Sequence, residues 1–286
     1  MLNVAENKTK LVVKRGRGRP RKNAAPSTLV VENVETESNI DQRIQRTFKV
    51  LDKVAKGVIA GNMRSVIVSG APGCGKTYTL ENHLNEAAEK GSIELSEVKG
   101  SMSAIGLYKT LWENRDSNNV LLIDDCDSIF SDLDALNLLK AALDTGKTRR
   151  LCWNKMSRVL DEEGIDRSFT FEGSVIFITN IDFSREVARG NKMAPHYDAL
   201  MSRSTYVDLG IHNKREVLVR IKQVSHSAEF LKNNGITSAQ ADVMIEWLSK
   251  HVARLRTLSI RTALQLASLL KTDSEWEEMA EVIMLK

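Results

Sequence analysis

The chain has 286 residues, with 41 Lys and Arg against 37 Asp and Glu, for a formal net charge of +4. This length and an ordinary apolar content give room for one large domain or two modest ones with a real core. The three cysteines, Cys74, Cys126 and Cys152, form no CxxC pair. That speaks against a disulfide framework or a zinc site and fits a reducing compartment. No apolar run reaches the roughly 18 residues of a membrane span, and Met1 to Glu6 lacks the apolar core of a signal peptide.

Residues 1–38 read as a basic tail. Lys14, Arg15, Arg17, Arg19, Arg21 and Lys22 lie among Gly, Pro and Asn, and so few large apolar side chains cannot offset the entropy of ordering. From Ile40 the pattern turns helical, through Ile44, Phe48, Leu51, Val54, Ala55 and Val58, with Gly61 as the stop. Ser65 to Val68 is a short apolar run before a glycine-rich turn and reads as a buried strand. A helix is expected from Lys76 to about Lys90, then a strand over Ile93–Val98, a helix over Ala104–Glu113 and a strand over Val120–Ile123. Leucine spacing predicts a helix over Leu133–Leu143 ended by Gly146. Arg150–Trp153 and Ser168–Phe171 read as an inserted hairpin, followed by strands at Val175–Ile178 and Thr205–Leu209. Four amphipathic helices follow, near 214–224, 239–250, 259–270 and 274–285. Alternating strands and helices imply an α/β fold with a parallel sheet and right-handed crossovers. The expected organisation is a tail over 1–38, an α/β nucleotide-binding domain over 39–210 and a small α-helical lid over 211–286.

Gly70-Ala71-Pro72-Gly73-Cys74-Gly75-Lys76-Thr77 follows a strand and opens a helix, the context a phosphate loop requires. Backbone N–H groups of such a loop form an anion nest, and the helix N-terminus adds partial positive charge. Lys76 carries a point charge to the β- and γ-phosphates of a nucleoside triphosphate, and Thr77 offers a hydroxyl to Mg²⁺. Cys74 reads as a space filler. The strand over 120–123 delivers Asp124 and Asp125 to its C-terminal end, where parallel sheets bind ligands. Asp124 is the expected Mg²⁺ carboxylate and Asp125 the group that orients water. Asp127 is expected to cap the following turn.

With these motifs the chain resembles the AAA+ ATPases. Three further stretches carry the resemblance in the family's order. Val175-Ile176-Phe177-Ile178-Thr179-Asn180 looks like the sensor 1 strand, with Asn180 as the polar sensor. Ala199 to Arg203 looks like the arginine-finger stretch, and Leu258 to Thr262 like the sensor 2 helix, with Arg261 facing the γ-phosphate. The resemblance runs from about Ile40 to the C-terminus, and the small single-module ATPases of bacteriophage genomes are the nearest type. It implies a P-loop NTPase fold, ATP and Mg²⁺ as cofactors, and action in the cytoplasm of a bacterial or phage-infected cell, the nucleus being the other option. It further implies a homo-oligomeric ring or spiral in which Arg203 reaches a neighbour's nucleotide. The family has Asp-Glu where this chain has Asp124-Asp125, and the shorter side chain puts fast hydrolysis, not binding, in question.

The tail segment Arg15, Arg17-Gly18-Arg19-Pro20-Arg21-Lys22 resembles an AT-hook. Gly and Pro keep it extended and thin, so its arginines fit a narrow A·T minor groove. A nonspecific polyanion contact, an import string and a solubilising tail are the other readings. Lys99 to Ser103 follows the second strand, where the family often lines a central channel. Met102 would grip a substrate there, including a protein substrate; a plain loop is the equal alternative. Trp153, Phe169 and Phe171 either stack on bases or pack the hairpin onto the body. His83, His196, His212, His226 and His251 show no metal spacing.

Overall fold

The computed structural model of the protein describes residues 35–286. The AT-hook reading, on residues 15–22, lies outside the described residues. Helix α1 spans Glu37–Ile59, two residues ahead of the expected boundary, because Thr36 accepts from Asn39 N as its N-cap. Its buried stripe of Ile40, Ile44, Phe48, Leu51, Val54, Ala55 and Val58 repeats the helical spacing of the sequence.

Seven strands follow: β1 (Ser65–Ser69), β2 (Glu94–Lys99), β3 (Asn119–Asp124), β4 (Arg150–Cys152), β5 (Ser168–Thr170), β6 (Ser174–Thr179) and β7 (Thr205–Asp208). The helices between them are α2 (Lys76–Glu89), α3 (Ala104–Glu113), α4 (Leu133–Ala142), α5 (Arg158–Glu162), α6 (Phe183–Arg189) and α7 (Ala194–Met201). The main sheet has the order β2-β3-β6-β1-β7, and every pairing in it is parallel. β4 and β5 form the separate antiparallel hairpin expected from the sequence, with Leu151 opposite Phe169.

Side chains on β1, β3 and β6 alternate between two cores. Val66, Val68, Val120, Leu122, Ile176 and Ile178 join α1, α2 and the C-terminal helices. Ile67, Leu121, Ile123, Val175 and Phe177 join α3, α4 and the hairpin. Both faces are covered, which is why these strands read as continuous apolar runs. Each fully buried aliphatic side chain contributes about 1.5–3 kcal/mol.

Five helices form the C-terminal lid: α8 (Lys214–Ser225), α9 (Ala228–Asn234), α10 (Ser238–His251), α11 (Ile260–Thr272) and α12 (Trp276–Met284). Asn213 and Glu216 make a capping box on α8. Arg43 of α1 donates to Gly210 O at 2.5 Å and to Glu216 at 2.8 Å, which ties the chain crossing into the lid back to the N-terminal helix.

Several expectations change. α4 ends at Ala142 with Leu143 as C-cap, so Gly146 does not terminate it. Asp127 opens a 3₁₀ turn over Asp127–Ser131 and caps nothing; it accepts from Thr179 Oγ1 at 2.6 Å and pins the turn to the end of β6. α5 and α9, with five and seven residues, are too short to show a helical period. Phe169 and Phe171 are buried in the second core, and Phe169 and Trp153 both pack on Tyr108, which favours packing over base stacking.

Candidate nucleotide site

The strand order sets the geometry. β6 lies between β1 and β3, so residues leaving these three strands at their C-terminal ends sit side by side at strand spacing, about 4.8 Å apart. The phosphate loop leaves β1, Asn180 leaves β6, and Asp124–Asp125 leave β3. Asn180 therefore falls between the lysine and the acidic pair and bonds both: its Oδ1 accepts from Lys76 Nζ at 2.8 Å, and its Nδ2 donates to Asp125 Oδ1 at 2.8 Å. The two bonds fix which way the amide points.

In the loop, Gly73 and Gly75 take φ of +67° and +97°. A Cβ on Gly73 would lie 2.8 Å from Ser259 Cβ, so glycine is what lets the lid sit on the loop here. Ile260 N donates to Gly73 O at 2.8 Å, docking the start of α11 directly onto it. Gly75 is the N-cap of α2 and offers no side-chain acceptor. The first N–H groups of α2 are thus left for an anion.

Lys76 is buried, and besides Asn180 it donates to Gly70 O at 2.7 Å and Ala71 O at 3.1 Å. Burial holds its pKa below the usual lysine range. No carboxylate is hydrogen-bonded to the ammonium, so an incoming phosphate finds a desolvated cation facing it. Thr77 Oγ1 donates to Asp124 Oδ2 at 2.9 Å. Burial pushes the Asp124 carboxyl above its ordinary pKa, with the Asp125 charge adding to the rise. A hydroxyl and a carboxylate at this spacing are hard oxygen donors of the kind Mg²⁺ takes. Asp125 is exposed and has φ of +53°; among the described residues no other non-glycine has positive φ. Strain of this kind gathers at functional sites.

Lys76, Thr77, Asp124, Asp125, Asn180, Ile260 and Arg261 line one cleft of about 210 Å³ with Pro72, Gly73 and Gly75. Gly70 and Ala71 contribute carbonyls to Lys76, and Cys74 is buried behind the loop, where burial raises its thiol pKa. A larger cavity of about 580 Å³ adjoins the cleft and shares Gly75, Tyr78 and Ile260 with it. α2, α8, α9 and α11 line it together with Asp52 of α1, and its size suits a nucleoside. Tyr78, the residue after the loop, and Arg220, in mid-α8, are site residues that motif reading misses. A signal for Arg220 does exist: it falls on the apolar stripe of Val217, Ile221 and Val224, where a cation is out of place.

Arg203 does not line the cleft. It sits in the turn after α7, donates to Ala199 O at 2.9 Å and lies 3.8 Å from Asp144. Met102 is half-buried against the second core, and its carbonyl accepts from Ser128. His212 lies 3.7 Å from Asp182 and 3.3 Å from Asp208 through its two different ring nitrogens, so it bridges the carboxylates. Among the described residues no helix is long and apolar enough to cross a membrane.

The chain is also similar to known proteins. Residues 66–187 match the family described as "ATPase family associated with various cellular activities (AAA)". An uncharacterised 36.7 kDa protein from the nrdC-mobD intergenic region of Enterobacteria phage T4 is 48% identical over 252 residues, covering 88% of this chain and 77% of the relative. Two solved structures resemble the chain at a TM-score of 0.46. One is the Thermotoga maritima RuvB Holliday junction branch migration motor, 13% identical, covering 87% of this chain and 69% of that one. The other is a DNA replication initiation factor, 16% identical, covering 84% and 65%. With phosphate loop, acidic strand end and polar strand end meeting in one cleft, and with the family match spanning them, the chain belongs to the AAA family of ATPases.

Proposed function

We propose that the protein is an oligomeric, Mg²⁺-dependent ATPase that couples ATP binding and hydrolysis to remodelling of DNA or of a DNA-bound complex. The observation that carries this reading is the convergence of Lys76, Thr77, Asp124, Asp125, Asn180 and Arg261 on one cleft that Arg203 does not enter. The loop amides and Lys76 hold the phosphates. Thr77 and Asp124 hold Mg²⁺, which neutralises charge developing on the phosphoryl oxygens when bound. Asp125 and Asn180 orient the attacking water. Arg261 reports the γ-phosphate to the lid, and Arg203 serves a neighbour's site across a head-to-tail interface. The basic residues Arg15, Arg17, Arg19, Arg21 and Lys22 support the DNA part, as a minor-groove tether.

The test is ATP turnover with and without double-stranded A·T-rich DNA, compared with unfolded protein as the alternative substrate. Stimulation by DNA and its loss in R17A/R19A is the expected result. Stimulation by unfolded protein alone would make the protein a polypeptide remodeller. A second reading, a slow DNA-tethered nucleotide switch, is favoured by Asp125: its side chain is short, its backbone left-handed, and Asn180 already occupies one of its oxygens. Single-turnover hydrolysis much slower than nucleotide exchange would select it.

A further inference from the structure

Arg220 lies on the lid helix α8, yet its guanidinium belongs to the phosphate loop. Its Nε donates to Cys74 O at 3.3 Å. Its Nη1 donates to Gln223 Oε1 at 3.2 Å, and Gln223 is itself held by Asp41 Oδ1 at 2.8 Å and Asp41 O at 2.9 Å. The guanidinium carbon stands 3.4 Å from the centre of the Phe48 ring on α1, a cation–π stack. Three elements thus fix one arginine. A Cβ on Gly75 would lie 3.6 Å from Nη2, so the cation borders the loop where the phosphate cleft opens into the larger cavity, whose wall it forms.

No carboxylate is hydrogen-bonded to this cation; Asp52, which lines the same cavity, acts on it through space only. Among the described residues it forms no salt bridge, and burial lowers its pKa to about 10. A buried cation with no directly bonded anion is costly, and here it is pre-oriented by Phe48 and Gln223 beside the phosphate loop. Arg149, also buried with its pKa lowered to about 10, likewise stacks on a ring, Phe171, and reaches the carbonyls Ala142 O and Gly173 O, but it lines neither the phosphate cleft nor the larger cavity.

On the reading that the cleft binds a nucleoside di- or triphosphate, we infer that Arg220 is a second lid arginine for that nucleotide, one that meets its α-phosphate from the nucleoside side. Arg261 lines the phosphate cleft and Arg220 the cavity beyond Gly75. The two therefore grip different ends of the phosphate chain. The α-phosphate is common to ADP and ATP, so Arg220 holds the lid on either nucleotide, whereas Arg261 distinguishes them.

The experiment measures affinity of the full chain for fluorescent ADP and for a non-hydrolysable ATP analogue over a salt series, in wild type, R220Q, R220K and R261Q. Arg220→Gln is expected to weaken both nucleotides about tenfold or more, as a lost charge-assisted hydrogen bond does. The ATP:ADP preference should stay unchanged and the salt dependence should flatten. Arg220→Lys should recover most of the affinity, because it keeps the charge and can still stack on Phe48. Arg261→Gln should instead erode the preference for the ATP analogue. Wild-type affinities in R220Q overturn the inference. So does a R220K variant as weak as R220Q with an unaltered salt slope, since that pattern marks packing, not charge. Wild-type protein that binds no nucleotide overturns the underlying reading instead, and K76A as control separates the two failures.

Discussion

In the α/β half of the molecule, each polar group of the cleft stands at the end of a strand or in the first turn behind it. Lys76 and Thr77 follow β1, Asp124 closes β3 and Asn180 follows β6. In the lid, the groups come from helices: Arg220 from the middle of α8, Ile260 and Arg261 from the first turn of α11. Strand ends in a parallel sheet are fixed by backbone pairing, so their spacing is set once the strand order is set. Lid groups are fixed by packing and by a main-chain bond from Ile260 N to Gly73 O. The phosphate-loop half is thus built on strand ends, and the lid half joins it through the segment between Gly210 and Asn213, which Arg43 and the α8 capping box hold.

The sharpest break in this comparison is Lys76→Ala. It removes the buried cation from the α/β half and leaves Gly70 O, Ala71 O and Asn180 Oδ1 without that donor. Nucleotide affinity should fall by about 10²-fold or more, because a charged hydrogen bond is worth about 1.5–3 kcal/mol and lysine serves more than one phosphate oxygen. The thermal midpoint should change little, since a desolvated cation adds little to stability. Calorimetric titration with ATP and a melting curve check both halves of the statement; undiminished affinity would sink the assignment of the cleft.

Arg203→Ala comes next. It leaves the cleft intact, so ATP binding should persist while hydrolysis drops by about 10³-fold or more. Mixing Arg203→Ala with Asp125→Asn should restore part of the activity, because some interfaces then combine an intact Asp125 with an intact Arg203. Absence of rescue at every mixing ratio would remove either the finger or the ring.

How far the sequence could be read follows the same division. Strands β1, β3 and β6 are legible because both their faces are covered and their apolar runs are continuous; the edge strands β2 and β7, only partly buried, are legible by their place in the alternation of strands and helices. Asn180 and Arg261 were reached through resemblance. Asp127 was misassigned because its partner, Thr179, is 52 residues away in sequence and adjacent only through the β3–β6 pairing. α9 was missed since Phe230 is its single buried residue, too few for a period. For Arg220 the local signal is only a cation on the apolar stripe of α8; its contacts with Cys74 and Phe48 come from distant parts of the chain, and no local pattern joins those three.

Asp125 offers a moderate effect that separates local strain from catalysis. Left-handed backbone costs a non-glycine residue roughly 1–2 kcal/mol, less for aspartate than for most. Asp125→Gly should therefore raise stability by about 0.5–1 kcal/mol while abolishing turnover. Asp125→Glu should lower turnover, because glutamate tolerates φ of +53° less well and the bond from Asn180 Nδ2 is set for the shorter side chain. A rise in turnover with Glu would mean the backbone relaxes freely and that length alone limits the native site.

The smallest expected effect tests the lid alone. His226, the C-cap of α8, lies 2.9 Å from Asp242 on α10, and its Nδ1 meets Lys222 O at 3.1 Å. The Asp242 hydrogen bond first, and the Lys222 carbonyl second, raise its pKa above the ordinary 6.5. A histidine whose folded pKa exceeds its unfolded value stabilises fully below the unfolded value, and the gain is lost as pH rises through the folded one. Both partners are well exposed, so solvent screening keeps the pair below about 1 kcal/mol. Asp242→Asn should thus lower the melting temperature slightly at pH below 6.5 and leave it unchanged at alkaline pH, when measured beside wild type at each pH. A constant difference across the range would show that Asp242 acts through helix packing. A difference that grows with pH would reverse the sign of the linkage and leave α8 and α10 joined by their apolar contacts alone.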